Sequence, residues 1–216
     1  MDAEIKISVS DDQSVTGLRN YSEGSEWTVI YAPGARSNND DPFGKYLADR
    51  LPSEGVSLFR FQFPYMERGD EMPDEPEVLQ STWRAVIAEV GRDGRVALSE
   101  RSRGGRVASE VVPMDGSVCD SLILFAYPLH TPGEPDQLRV DHLPDVSVPT
   151  LFCSGTRDAW GTPDELKRAA GLIPGSSSTT LDGADYAFLP EDSRVRTQED
   201  VWAEAVGVAL KHFGVG

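Results

Sequence analysis

The sequence predicts an α/β protein built on a doubly wound, mostly parallel β-sheet. Short apolar segments alternate with amphipathic segments along most of the 216 residues, and strands that alternate with helices form βαβ units. Several apolar segments, such as residues 27–32, carry almost no polar side chain, as expected of strands that are covered on both faces. Right-handed crossovers then place helices on both faces of the sheet.

The predicted strands are marked by polar–apolar alternation or by continuous apolar character. Residues 4–10 and 14–18 alternate and are joined by Asp11 and Asp12, a pattern that predicts an opening antiparallel hairpin. The remaining predicted strands lie at residues 27–32, 55–63, 95–99, 121–126, 148–155 and 178–181.

The predicted helices carry apolar residues three and four positions apart. They follow Asp41-Pro42, begin near Val78, restart after Ser102, follow Thr162-Pro163 and run from about Gln198 to the C-terminus. Asp41 and Thr162 are suitable N-cap residues, each followed by a first-turn proline. Residues 64–76 contain charges and prolines without a period, so we expect a surface loop there that could cover a cleft.

Residues 95–109 are the segment around which a functional site would be organised. An apolar strand breaks into a tight turn at Ser102 and restarts at once as a helix. This geometry lifts the serine hydroxyl clear of the sheet, and the N–H of Arg103 opens the helix, where the positive dipole end favours an oxyanion. In the nucleophile-elbow motif G-x-S-x-G, Gly104 fits, whereas Glu100 replaces the first glycine. Taken alone, the motif also fits an ordinary strand-to-helix turn.

Composition excludes some partners. With 39% apolar side chains, a chain of this length builds one core, so we expect a single domain over residues 1–216. The formal charge of -16 argues against binding to nucleic acid or to an anionic membrane. Acidic residues outnumber the basic ones, and lysine is scarce. This balance is expected of a halophilic protein in a salt-rich cytoplasm, and equally of an ordinary acidic protein.

The chain shows no signal-peptide pattern at its N-terminus and no apolar run of the ~20 residues that span a bilayer. We therefore expect a cytoplasmic protein. Cys119 and Cys153 lie in or beside apolar segments, which favours reduced, buried thiols. No His, Cys or acidic residues have the spacing of metal ligands, so no metal site is expected.

The loops that follow successive strands carry a series of motifs. They read Ala32-Pro-Gly-Ala, Phe63-Pro-Tyr-Met66, Arg101-Ser-Arg-Gly-Gly-Arg106, Ala126-Tyr-Pro-Leu-His-Thr-Pro-Gly-Glu-Pro135, Gly155-Thr-Arg-Asp158 and Gly183-Ala-Asp-Tyr-Ala-Phe188. In this order the motifs resemble the α/β-hydrolase family, and specifically its small lidless members related to dienelactone hydrolase. The resemblance spans nearly the whole chain and implies an α/β-hydrolase fold without a cap domain.

The resemblance also implies roles for individual residues. Ser102 stands where the nucleophile stands and Asp158 where the triad acid stands, while the N–H groups of Ala35 and Arg103 stand where the oxyanion donors stand. The implied activity is esterase-type hydrolysis of a small molecule, without a cofactor. Tyr186 occupies the position of the catalytic histidine.

The missing histidine is expected to impair the triad. A serine hydroxyl is a poor nucleophile until a base removes its proton, and a tyrosine with a pKa near 10 is a poor base at neutral pH. His130 follows the strand beside the elbow strand, so a dyad with Ser102 is conceivable, as is a structural role in the loop at residues 128–135. His142 and His212 are expected to be structural.

Four further residues are candidate ligand contacts around this site: Glu100, Arg101, Tyr65 and Tyr127. Two functional hypotheses follow. The chain is either a serine-hydrolase-like protein with weak or altered activity, or a pseudoenzyme that binds a small anionic or carbonyl ligand, or a protein partner, at the former catalytic site. The sequence does not define an oligomeric state.

Overall fold

The predicted elbow follows a parallel strand in the middle of a single β-sheet. The computed structural model describes residues 3–35, 37–91, 93–102, 106–115 and 118–215. Within these residues eight strands form one sheet in the order β1-β2-β4-β3-β5-β6-β7-β8. They are β1 (Ala3–Ser8), β2 (Ser14–Asn20), β3 (Trp27–Ala32), β4 (Val56–Phe61), β5 (Arg95–Arg101), β6 (Ser121–Phe125), β7 (Thr150–Gly155) and β8 (Ser177–Leu181).

The pairing confirms the predicted fold class. Strands β3 to β8 pair in parallel, whereas β1 and β2 form an antiparallel hairpin and β2 pairs antiparallel with β4. The strand order changes direction around β3 and β5. Ligands in open α/β sheets bind beyond the carboxyl ends of strands at such a switch point, and β5 ends at Arg101, directly before Ser102.

Of the six α-helices among the described residues, five lie in the predicted places and one short helix lies in the segment that was predicted to be a loop. They are α1 (Pro42–Ser53), α2 (Pro64–Glu67), α3 (Pro76–Val90), α4 (Arg106–Asp115), α5 (Pro163–Ala170) and α6 (Gln198–Phe213), with a 3₁₀ turn at Leu143–Asp145. Asp41 and Thr162 are the N-caps of α1 and α5, and their side chains accept from the N–H groups of Gly44 and Glu165.

The segment at residues 64–76 is more ordered than its sequence predicts. It begins with the single turn of α2, and the Tyr65 N–H donates to Asp74 Oδ2 at 2.8 Å. The Arg68 guanidinium donates to Asp74 Oδ1 at 2.6 Å. These bonds satisfy backbone and side-chain groups within the segment, and they give a shape to a stretch that has no hydrophobic period.

Helices cover both faces of the sheet and divide the core into two layers. On one face, α3, α4 and α5 pack against one set of strand side chains. On the other face, α1 and α6 pack against the alternate set. The described residues contain no cap domain, and no helix among them has the length and apolarity to cross a membrane.

One close backbone approach at the end of β7 yields a prediction. A Cβ added to Gly155 would lie 2.1 Å from the carbonyl oxygen of Ala184, which is backbone and cannot rotate away. Overpacking of this kind costs about 3 kcal/mol at the upper end of its usual range. We expect Gly155→Ala to lower the free energy of unfolding by about that amount, as measured by urea denaturation.

Gly207→Ala is the matched control. Gly207 lies inside α6, and a Cβ there would have no neighbour within 4 Å. Alanine is favoured over glycine in a helix interior by about 0.5–1 kcal/mol, so this variant should be slightly more stable than the wild type. Equal effects of the two substitutions would contradict the close approach at Gly155.

Candidate active site

Ser102 lies at the sharp turn that follows β5. Its φ angle is +68°, in the left-handed region, although it is not a glycine. Non-glycine residues in this region are uncommon and cluster at functional sites, where the surrounding structure holds them. Helix α4 begins at Arg106, so Ser102 lies between a central strand and a helix, as a nucleophile elbow requires. Arg103, the expected oxyanion donor, lies outside the described residues.

The loop after β3 packs directly against the serine. A Cβ added to Gly34 would lie 2.9 Å from the Ser102 Cβ and 3.1 Å from the carbonyl oxygen of Arg101. Only a glycine allows this approach. The next residue, Ala35, borders the same cavity as Ser102, and its N–H has no hydrogen-bond partner among the described residues. Such an amide is available to a ligand oxygen, as the oxyanion hypothesis requires.

Tyr186 reaches Ser102 from the loop after β8. The tyrosine hydroxyl and Ser102 Oγ are joined by a hydrogen bond. The indole ring of Trp160 stacks on the Tyr186 ring, with centroids 5.3 Å apart and planes at 26°. The side chain that contacts the Ser102 hydroxyl is therefore a phenol.

The carboxyl group of Asp158 lies after β7, at the same edge of the sheet, and is almost completely buried. Its Oδ2 accepts a hydrogen bond from Ser154 Oγ, and its Oδ1 accepts one from the Trp160 N–H at 2.8 Å. Burial raises the pKa of Asp158 to about 6, although these two hydrogen bonds favour the ionised form. Asp158 therefore anchors the backbone of Trp160.

His130 is held away from Ser102 by its own partners. Its Nδ1 lies 2.9 Å from the Thr131 carbonyl oxygen and its Nε2 lies 3.2 Å from Glu165 Oε2. The side chain is buried, and the His130 N–H donates to the Trp160 carbonyl at 3.1 Å. Both ring nitrogens thus have partners, one in the same loop and one in the first turn of α5, and the conceived dyad with Ser102 is not formed in this structure.

The other two histidines also bond to structural partners. The Nε2 of His142 lies 2.8 Å from Ser109 Oγ, and that of His212 lies 2.8 Å from Ser121 Oγ. Burial lowers the pKa of both imidazoles, which favours their neutral forms. Neither ring is bonded to Ser102.

Glu100 does not border the site, contrary to the expected ligand contact. Successive residues of a strand point to opposite faces, and the Glu100 carboxyl lies beneath α4, 1% exposed. Its Oε1 accepts from Trp83 Nε1 at 2.7 Å and from the Ala108 N–H in the first turn of α4 at 3.0 Å. Its Oε2 has no partner among the described residues. Burial raises the pKa of Glu100 well above its ordinary value.

The Arg101 side chain lies on the opposite face of the sheet and contacts residues from neighbouring segments of the chain. Its Nη2 donates to the Ala187 carbonyl at 2.7 Å, and its Nη1 lies 3.7 Å from Asp41 Oδ1. The guanidinium also lies over the rings of Phe43 and Phe188, 5.5 and 5.1 Å from their centroids. These contacts hold the loop that carries Tyr186 against the elbow, so the arginine has a positioning role here.

Tyr65 and Tyr127, the remaining predicted ligand contacts, are buried in the core. Each is 1% exposed. Tyr127 donates to the Arg139 carbonyl at 3.3 Å. Burial raises the pKa of Tyr65 to about 12 and raises that of Tyr127 as well. Both phenols therefore face the interior, because their rings supply apolar packing beneath the loops.

A cavity of about 300 Å³ opens over Ser102. It is bordered by Ala35, Glu71, Met72, Pro73, Ser102, Trp160 and Tyr186. A smaller space of about 160 Å³ lies beside it and is bordered by Arg101, Asp41 and Tyr186 among others. Trp160 was not anticipated from the sequence. Its position two residues after Asp158, in the loop at the carboxyl end of β7, is the signal that could have indicated it.

The described residues contain no cluster of three or more His, Cys, Asp or Glu side chains arranged to hold a metal ion. Among the described residues that border the cavity are two hydroxyl groups, the Ala35 amide, an aromatic pair and the carboxylate of Glu71.

Comparison with known proteins agrees with this geometry. The sequence matches the family described as an alpha/beta hydrolase domain over residues 25–214. The chain belongs to the α/β-hydrolase family. Its fold is that of the small lidless members related to dienelactone hydrolase.

Solved structures share this fold at low sequence identity. A serine hydrolase without a lid from Xanthomonas campestris is 16% identical with a TM-score of 0.74, over 98% of this chain and 94% of that one. Dienelactone hydrolase from Anabaena variabilis is 16% identical with a TM-score of 0.75, over 98% and 97%. Est1E from Butyrivibrio proteoclasticus with bound ferulic acid is 12% identical with a TM-score of 0.77, over 97% and 99%.

The buried carboxyl of Glu100 predicts a pH dependence of stability. Because its pKa is raised in the folded state, its contribution to stability is complete below the unfolded pKa of about 4.3 and is lost as the pH rises toward the folded pKa. The loss is at most about 1.4 kcal/mol per pH unit. Glu100→Gln keeps an acceptor for Trp83 and Ala108, so its unfolding free energy should fall less steeply with pH.

The measurement is urea denaturation of both proteins from pH 4 upward. Asp158, whose pKa is also raised, adds a slope of the same sign to both proteins and cancels in the difference. Parallel pH curves for wild type and Glu100→Gln would contradict the prediction, because they would mean that folding does not raise the pKa of Glu100.

Proposed function

We propose that this chain is a serine-hydrolase-like protein that carries out esterase-type acyl hydrolysis of a small molecule slowly at neutral pH. The observation that carries the proposal is the hydrogen bond between Ser102 Oγ and the Tyr186 hydroxyl. The nucleophile, its strained turn and the Ala35 amide are retained, whereas the proton acceptor is a phenol.

The reaction follows from these groups. Ser102 Oγ attacks the ester carbonyl while its proton passes to the Tyr186 phenolate, and the developing oxyanion accepts a hydrogen bond from the Ala35 N–H. The phenol then returns the proton to the departing alcohol, and water hydrolyses the acyl-serine by the same route. A tyrosine with an ordinary pKa near 10 is ionised to about one part in a thousand at pH 7. The rate should therefore be low and should rise with pH.

Family membership supports a hydrolase-like activity. The ferulic acid in Est1E belongs to that protein. At 12% identity it indicates only that this fold accommodates an aromatic acid, so the ester class acted on by the present chain is a separate proposal.

The hydrogen-bond partners of Asp158 and His130 favour a second function. Asp158 and His130 are both bonded to partners other than Ser102 and Tyr186. If Tyr186 does not act as a base, the site is a binding pocket for a small anionic or carbonyl ligand or for a protein partner. The chain is then a pseudoenzyme, and the oxyanion donors and hydroxyls serve recognition alone.

Labelling by a fluorophosphonate probe separates the two functions. We expect slow labelling of wild type at pH 7 that rises by about tenfold per pH unit up to pH 9, because a minority phenolate is the base. Tyr186→Phe should give a flat pH profile, and Ser102→Ala should not be labelled. Absence of labelling at every pH would favour the binding protein.

Restoring the imidazole gives a further prediction. Tyr186→His should raise esterase activity at pH 7 by about 10²-fold, the lower end of general-base catalysis, because Asp158 must first leave Trp160 or Ser154 to orient the ring. The measurement is hydrolysis of p-nitrophenyl acetate. The double variant Tyr186→His with Ser102→Ala is the control and should remain inactive; unchanged activity in Tyr186→His would mean that more than the base has been lost.

A further inference from the structure

The rings of Trp160 and Tyr186 together form an aromatic surface beside the serine. They stack at 5.3 Å, and both border the cavity that contains Ser102. Trp160 is half-buried, so part of its side chain is available to a ligand. No step of the proposed hydrolysis uses this indole.

The backbone of Trp160 is held by hydrogen bonds to Asp158 and to His130. Its N–H donates to Asp158 Oδ1 at 2.8 Å, and its carbonyl accepts from the His130 N–H at 3.1 Å. These backbone bonds fix the direction of the Cα–Cβ bond of Trp160, and the stacking on Tyr186 restricts its ring. An aromatic surface held in this way loses little conformational freedom when a ligand binds.

The rest of the cavity lining favours an uncharged ligand. Met72 and Pro73 supply apolar surface, and methionine sulfur makes favourable contacts with aromatic rings. Glu71 also borders the cavity and has no ion-pair partner among the described residues, so it opposes an anionic group there. The cavity of about 300 Å³ is at the small end of ligand sites, which span roughly 300–1,000 Å³.

We propose that Trp160 is the specificity-determining residue of this site and that the site takes a flat, uncharged aromatic or conjugated group, stacked on the Trp160–Tyr186 pair, with its carbonyl at Ser102. The inference rests on the proposed function only for the position of the carbonyl. Stacking selects planarity, because a puckered ring of the same size cannot place all its atoms against the indole face.

The test compares two neutral amides that differ in ring planarity. Benzamide and cyclohexanecarboxamide carry the same carbonyl group, and neither is charged. Binding to the full-length protein is measured by calorimetry and by tryptophan emission, with Ser102→Ala as a hydrolysis-deficient background. We expect benzamide to bind about threefold to tenfold more tightly, the range of an aromatic pair.

Three variants assign the preference. Trp160→Leu should bind both amides equally, whereas Trp160→Phe should retain a preference for benzamide. Trp202→Phe is the matched control, because Trp202 packs on Phe43 and Tyr46 and does not border the cavity. Benzamide should change the tryptophan emission of wild type and Trp202→Phe, and Trp160→Phe should lose that change.

The outcomes are independent of catalysis. Equal affinities for the two amides in wild type, or an emission change that survives in Trp160→Phe, would overturn the inference even if fluorophosphonate labels Ser102. A benzamide preference that depends on Trp160, in a protein that the probe does not label, would support the inference and remove the hydrolase proposal. If Trp160→Leu does not fold, the two phenylalanine variants decide the question.

Discussion

The left-handed turn at Ser102 is the constraint on which the rest of the site depends. A non-glycine residue with a φ of +68° persists only where its surroundings hold it. The two preceding residues do so from opposite faces of the sheet. Glu100 accepts hydrogen bonds from Trp83 and from the first turn of α4 on one face. Arg101 binds the loop that carries Tyr186 on the other.

Asp158 and Trp160 lie at the same edge of the sheet as that turn and bond to each other. A buried carboxylate requires hydrogen-bond donors, and Asp158 obtains them from Ser154 and from the backbone of Trp160. The indole anchored in this way stacks on Tyr186. Around the cavity the described residues thus combine a serine, the Ala35 amide and an aromatic pair, an arrangement that suits recognition better than fast proton transfer.

Much of the fold and part of the site could be predicted from residue patterns. Strand and helix positions follow from hydrophobic periodicity, and the elbow follows from the break in that periodicity at Ser102. The family resemblance placed Tyr186 at the position of the catalytic histidine, which stays a prediction, and the structure shows its hydroxyl bonded to Ser102 Oγ. The prediction that Glu100 contacts a ligand is wrong. Glu100 lies two residues before the serine in sequence, yet its side chain points beneath α4.

The sequence by itself determined the order of the elements and the serine at the bend, because both follow from local residue patterns. Only the tertiary structure decided the partners of Asp158 and His130. His130 meets Glu165 and Trp160 across about thirty residues of chain. The packing of loops at one edge of the sheet determines these partners. Residue spacing along the chain does not indicate which of two nearby acceptors a buried donor will reach.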